Sequence, residues 1–434
     1  MQHLNRLARL GSLRLRSGLP CTGSASFRGV SYLLQLALQQ PNDQPSACRA
    51  FQSQWQSALS QACWRMHPFS TSSLANQYVE SWDDDKQGPI DPFAIAEPEI
   101  DSISERLRQS LLTDIPALGK AAEYFFQIGA EGKRLRPTML VLMASAFSAV
   151  LPSSHLLKVD QSPVNHHPLE PRRRQQRIAE ITEMIHVASL LHDDVIDNAE
   201  TRRGLKALNL AMGNKIAILA GDFLLARASV SLASLRNTEV IELLSQVIEH
   251  LVSGEILQMT SQPEELLSID HYVKKTFYKT ASLMANSCKA VAILGGQPRE
   301  DCELAWEYGR HLGLAFQFID DVLDFTSSSG ELGKPNLNDI KSGVVTAPVL
   351  YAAEQHPELI DMIQRKFKAD GDVSRANELV FDSNGIERTR EMAEKHCMLA
   401  AQTISKFSEP QSGHAEVCRR ALTQITNKVL TRSK

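Results

Sequence analysis

From Asp101 onward, apolar residues recur at intervals of three and four positions, strand-like alternation is scarce, and turn-forming clusters divide the chain into stretches of about 15 to 30 residues. Helices that each bury one face have this period, so the pattern predicts an all-α body. Two segments break it. Trp82 to Phe93 carries Asp83, Asp84 and Asp85, then Gly88, Pro89 and Pro92, and reads as an exposed connector. On this reading residues 80–100 are linker and 101–434 form one domain. Pro152 to Gln176 contains four prolines, three histidines and Arg172-Arg173-Arg174, and reads as a surface insertion between two core helices. His155, His166 and His167 sit in a proline-rich context that does not favour a metal site. The longest uncharged apolar stretch of the body, Thr138 to Leu151, stops at Pro152, short of the roughly 20 residues that a bilayer span needs.

Charge changes the picture at the front of the chain. Residues 1–79 hold seven arginines, no lysine and no glutamate, with Asp43 the only acid, which leaves 39 basic and 49 acidic residues for the rest. Leu4 to Arg16 sets arginine and leucine at the spacing of a basic amphipathic helix, so residues 1–79 read as an organelle transit peptide. Arginine-leucine periodicity favours mitochondria over plastids, and Arg65 to Ser73 suits a processing region. Over all 434 residues the formal charge is −4, which gives nucleic-acid binding no support, and the 43% hydrophobic content suits a soluble protein with a sizeable core. Seven cysteines without CxxC spacing read as reduced, buried thiols. No phosphate-binding P-loop, dinucleotide glycine fingerprint, HExxH or serine nucleophile elbow occurs.

The chemistry lies in two aspartate clusters. IHVASLLHDDVID places Asp193, Asp194 and Asp197 at the end of an apolar helix, and FQFIDDVLDF places Asp320, Asp321 and Asp324 in another. Each is a DDxxD, and on a helix its first and last carboxylates share a face. Carboxylates held so close repel unless cations neutralise them. Magnesium bound through one or two carboxylates, water and substrate phosphates is the usual solution, so the expected ligand is a diphosphate. One such cluster is often an exposed helix face; two, both embedded in apolar helices, point to a site. Basic groups suited to diphosphate accompany them: Lys133, Arg134 and Arg136 in EGKRLRP, Arg202 and Arg203 after the first cluster, and Lys279 and Lys334.

In this order the residues resemble a known family, the trans-isoprenyl diphosphate synthases, over about three quarters of the chain. The resemblance is carried by GKRLRP, LLHDDVID with RRG after it, GNKIAILAGDFLLARA, GEILQM, YKTASL, FQFIDDVLDF and GKPNLNDIKSG. It implies an isoprenoid synthase-type bundle of long helices around a deep central cavity, and successive head-to-tail condensation of isopentenyl diphosphate onto an allylic diphosphate. By the same resemblance Asp193, Asp194, Asp197, Asp320 and Asp324 ligate Mg2+, with Asp321 beside them. Lys133, Arg136, His186 and Arg203 hold isopentenyl diphosphate. Arg202, Lys279, Thr280, Gln317 and Lys334 contact the allylic diphosphate, Lys279 and Thr280 near the reacting centre. Glu131 stands where the family often has glycine, and Lys206 where it often has proline; neither change removes an assigned group.

A tail growing beside the first cluster passes position five before Asp193, about 7.5 Å along the helix axis. That residue is Ala188, next to Ser189, and both are small where short-product members commonly carry an aromatic. The ending VLTRSK resembles long-chain members that supply the ubiquinone side chain, so a nonaprenyl or decaprenyl product is expected. A geranylgeranyl diphosphate synthase would be expected to carry a bulky stopper here. A class I terpene cyclase lacks GKRLRP and the second DDxxD, and a noncatalytic partner subunit loses aspartates. The resemblance further implies a homodimer or a heteromer with a related subunit, and the hydrophobic product suggests a peripheral membrane contact.

Overall fold

The computed structural model describes residues 90–131, 134–147, 170–202, 205–329, 334–335 and 337–432, which contain seventeen α-helices. They are α1 (Pro92–Ser110), α2 (Pro116–Glu131), α3 (Leu135–Ala146), α4 (Pro171–Ile196), α5 (Leu208–Met212) and α6 (Asn214–Ser234). Then come α7 (Thr238–Thr260), α8 (Pro263–Leu266), α9 (Ile269–Thr276), α10 (Ser282–Leu294), α11 (Arg299–Thr326) and α12 (Asn338–Lys341). The last are α13 (Ala347–Ala353), α14 (Glu358–Gln364), α15 (Asp372–Asp382), α16 (Gly385–Ser405) and α17 (Gly413–Leu430). Among the described residues the only strands are two antiparallel pairs of two residues each, β1 (Thr201–Arg202) with β2 (Leu205–Lys206) and β3 (Ser328–Ser329) with β4 (Lys334–Pro335). The all-α expectation holds.

The folded body starts earlier than the expected boundary at residue 101, because α1 opens at Pro92. Asp91 caps it, its side chain accepting a hydrogen bond from Phe93 N at 3.3 Å, and Pro92 fills the first turn. The aspartate and proline that read as linker are helix-start signals, and Ala96 and Ile100 behind them are buried. The expected insertion is also shorter at its end: Pro171 opens α4, so residues 171–176 are helical. Arg172 there donates to Glu99 at 2.5 and 3.0 Å, Gln176 donates to the same carboxylate at 2.6 Å, and Arg106 donates to Glu180 at 2.7 Å. This buried polar ladder fixes α1 on α4. The expected transit peptide, the connector up to residue 89 and the three insertion histidines lie outside the described residues.

Helix α10 is the centre of the fold. It is buried on nearly every side and packs on α3, α4, α7 and α11, whereas α4 and α11, which carry the two aspartate clusters, barely touch each other. α10 thus packs on both cluster-bearing helices. The α10–α11 approach depends on two glycines: a Cβ at Gly309 would lie 2.6 Å from Met284 O, and one at Gly313 would lie 2.6 Å from Ala281 Cα. Gly309, Gly313, Gln317 and Asp321 follow at intervals of four, so one stripe of α11 brings both glycines to the α10 seam and then delivers two polar groups to the site.

Gly313→Ala is expected to force α10 and α11 apart and to lower stability by about 1–3 kcal/mol in urea unfolding, as overpacking does. Equal unfolding midpoints for parent and variant would show that the seam has slack.

Candidate active site

The first cluster ends α4. Asp193 lies in its last turn and Asp197 just past it, still in helical geometry, with Asp197 N donating to Asp193 O at 2.8 Å. Asp194 points elsewhere. Its side chain is 1% exposed and accepts from Arg202 Nε at 2.9 Å, while Asn209 Nδ2 donates to its carbonyl at 3.0 Å. Arg202, expected on the allylic diphosphate, thus braces Asp194 to β1. Asp193 and Asp197 face the Lys279 ammonium, which forms an ion pair with Glu255. Burial, opposed by Lys279 and reinforced by Glu255 and Asp197, pushes the Asp193 carboxyl up to about 6, and Asp197 shifts the same way for the same leading cause.

The second cluster lies in α11. Asp321 is 1% exposed and saturated: Tyr272 Oη donates to it at 2.5 Å and Gln317 Nε2 at 2.9 Å, and Gln317 in turn accepts from Thr280 Oγ1 at 2.9 Å. The chain Thr280–Gln317–Asp321–Tyr272 ties α11 to α9 and to the π-helical turn Phe277–Ala281 that carries Lys279. Burial pushes Asp321 up to about 6, with the two hydrogen bonds and Lys275 acting against it. Asp324 accepts from the backbone N–H groups of Asn338 (3.0 Å) and Asp339 (3.1 Å) and so fixes the start of α12. Asp320 pairs with Arg432 at 2.6 Å; burial raises its carboxyl while Arg432 and Arg136 pull it down.

A basic corner adjoins Asp320. Arg136 Nη1 and His186 Nε2 are 3.1 Å apart, and since a guanidinium only donates, His186 accepts on Nε2. The Phe316 ring lies between two guanidiniums, 5.9 Å from Arg136 and 3.8 Å from Arg432. Lys133 and Arg203 lie outside the described residues, and of Lys334 only the backbone, in β4, is described. Ala188 is fully buried, whereas Ser189 is partly open and donates to His186 O at 2.8 Å. The stripe through Asp193, Ser189, His186 and Thr182 ends where Thr182 and Ser287 share a buried hydrogen bond of 2.8 Å between α4 and α10.

Sequence reasoning assigned no role to Glu255, Tyr272, Lys275, Asp339 or Arg432. Each lies in or beside a motif already noted, GEILQM, YKTASL, GKPNLNDIKSG or VLTRSK, but only the folded chain shows which carboxylate it faces. Asp339 is pushed up to about 8 by burial and by Asp321 and Asp324. Asp194 Oδ2 is buried without a hydrogen-bond partner among the described residues. These crowded, undercompensated oxygens suit a hard divalent cation. Among the described residues no three potential ligand side chains converge on one point.

The raised Asp193 carboxyl gives a test. With its folded value near 6 against an ordinary 3.8, the folded protein holds the proton more tightly, so its stabilising contribution is full below about pH 4 and is lost as pH rises through 6. Without divalent cations, Asp193→Asn is expected to stabilise the protein at pH 7 by about 1–3 kcal/mol in urea unfolding, with the gain shrinking toward pH 4.5. A gain independent of pH would show that Asp193 is not under this electrostatic load.

Residues 115–380 match the profile of the family described as Polyprenyl synthetase. The chain is 51% identical over 344 residues to the mitochondrial solanesyl-diphosphate synthase 1 of Oryza sativa subsp. japonica, covering 79% of each protein. It is 44% identical over 345 residues to an all trans-polyprenyl-diphosphate synthase of Homo sapiens, covering 79% of this chain and 78% of that one. Among solved structures, the apo form of an Arabidopsis medium/long-chain length prenyl pyrophosphate synthase superposes with a TM-score of 0.63 at 44% identity, over 80% of this chain and all of that one. A Caulobacter crescentus polyprenyl synthase complexed with calcium and isoprenyl diphosphate gives 0.66 at 29% identity, over 79% and 97%. With two DDxxD helices joined by basic groups from separate elements, and with this identity along most of its length, the chain belongs to the polyprenyl synthetase family and is a prenyltransferase.

Proposed function

We propose that this protein is a long-chain trans-polyprenyl diphosphate synthase that joins isopentenyl diphosphate units head to tail onto an allylic diphosphate, giving a nonaprenyl or decaprenyl precursor of the ubiquinone side chain. The observation that carries the reading is the pairing of two DDxxD helices with a separate basic corner. Asp193, Asp197, Asp320 and Asp324 supply the oxygens for Mg2+, with Asp194 held behind them by Arg202. The bound metal supplies charge neutralisation for the departing diphosphate. Lys279, Thr280, Gln317 and Lys334 orient the allylic diphosphate. Arg136 and His186, with Lys133 and Arg203 from the same motifs, hold isopentenyl diphosphate without metal, and Arg432 joins them across Phe316. Burial of the surrounding helices keeps water from the developing carbocation.

Relatives named mitochondrial and the basic, lysine-free front of the chain support a mitochondrial protein whose first 79 residues act as transit peptide. Helix α6 is long and apolar enough to cross a membrane by length and composition, although Asp222 and Arg227 interrupt it. Ile218, Leu219 and Val230 on α6, with Val252, Ile256 and Met259 on α7, leave an exposed apolar face. That face suits a second, similar subunit, either another copy or a related chain. A dimer that Val230→Glu with Ile256→Glu converts to monomer in light scattering is the expected outcome; no change in mass would place the contact elsewhere.

Protein lacking residues 1–79, given Mg2+, labelled isopentenyl diphosphate and farnesyl diphosphate, is expected to yield a ladder ending at about nine or ten units, while Ala188→Phe shortens it by obstructing the α4 wall. Parent products stopping at four units would favour a geranylgeranyl synthase, and parent inactivity with every starter would favour a missing catalytic partner.

A further inference from the structure

The GEILQM segment is a matching motif to which the reading above gives no part. It places Gly254 and Glu255 on α7, directly against the π-helical turn that carries Lys279. A Cβ at Gly254 would lie 2.7 Å from Lys279 Cγ, 3.1 Å from Tyr278 Cβ and 3.2 Å from Lys279 N, so only glycine lets the lysine stem and its backbone pass. One residue on, Glu255 takes the ammonium in an ion pair whose two side chains are 24% and 12% exposed. Gln258 Nε2, less than one turn further, donates to the other Glu255 oxygen at 3.3 Å. One turn before Gly254, the His250 ring stacks on Tyr278 at 4.7 Å and its Nδ1 lies 2.6 Å from Ser282 Oγ, pinning both ends of the turn. Four positions on one face of α7 therefore fix one lysine.

A purely architectural ion pair has no reason to stand beside uncompensated carboxylates. Lys279 and Glu255 both act on Asp193 and Asp197, in opposite senses. We propose that Glu255 is a positioning residue for the allylic diphosphate: it holds the Lys279 ammonium at the first aspartate cluster and yields it to the diphosphate as that anion enters. This rests on the placing of Lys279 at the allylic diphosphate under the proposed function. A phosphate oxygen offers the ammonium a charge-assisted hydrogen bond at least equal to the one it leaves, and the transfer lets the ammonium travel a short, preset path on a stem that Gly254 keeps in register. The handover also carries a cost, because it leaves the Glu255 carboxylate without its cation in a site already crowded with negative charge.

The experiment separates binding from turnover. Dissociation constants for farnesyl thiodiphosphate, a non-reacting allylic probe, are measured by calorimetry for the parent, Glu255→Gln, Lys279→Ala and Gly254→Ala, together with kcat, both KM values and melting temperature. Glu255→Gln is close to isosteric and removes only the competing charge, so it is expected to tighten probe binding about three- to tenfold while kcat falls about tenfold and KM for isopentenyl diphosphate stays put. Gly254→Ala displaces the stem and is expected to weaken the probe and lower kcat. If Glu255→Gln leaves the probe constant and kcat unchanged, or depresses all parameters alike with a lower melting temperature, the positioning role is overturned. If instead Lys279→Ala leaves probe binding intact, the assignment of Lys279 to the allylic diphosphate itself fails.

Discussion

A carboxylate removed from water must be met by a cation or by hydrogen-bond donors, and of the six aspartates in the two motifs Asp194 and Asp321 are buried under that constraint while the other four are wholly or partly open. The protein satisfies them unequally. Asp194 has Arg202, Asp321 has Tyr272 and Gln317, Asp320 has Arg432, and Asp324 has two backbone N–H groups at the start of α12. Asp193 and Asp197 feel Lys279 and, less strongly, Arg202, but Lys279 is shared with Glu255 and Arg202 with Asp194. Charge without a full set of partners thus remains at Asp193 and Asp197, and again at Asp339 beside the second cluster. Inside each DDxxD the middle aspartate is the buried one, held by Arg202 in the first and by Tyr272 and Gln317 in the second.

That division depends on packing far from the chemistry. Because Gly309 and Gly313 let α11 lie against α10, Gln317 reaches Thr280 and Asp321 reaches Tyr272, and the π-helical turn is held where it presents Lys279. Because α10 packs on both α4 and α11, the two cluster-bearing helices make few contacts with each other. The ladder of Glu99, Arg106, Arg172, Gln176 and Glu180 fixes the far end of α4, so its cluster-bearing end is positioned from below.

Helical content, the two clusters and the basic motifs were legible from residue order alone, since period and DDxxD spacing are local properties. The start of the body was misplaced for an equally local reason. Asp91 and Pro92 serve a turn and a helix start with the same chemistry, and only the burial of Ala96 and Ile100 separates the two. Arg172 in the arginine run looked solvated; its partner Glu99 lies 73 positions away.

The sequence by itself determined the kind of site: which oxygens and which cations the chain has, and that they sit on helices. Tertiary structure decided which oxygen faces which cation. Arg202, expected at the substrate, also braces Asp194, Glu255 is the partner of Lys279, and Arg432, just past the last helix, covers Asp320. Helical periodicity fixes the direction of a side chain relative to its own axis, whereas ion pairs between helices depend on how the axes cross, and that is set by close packing over the whole core.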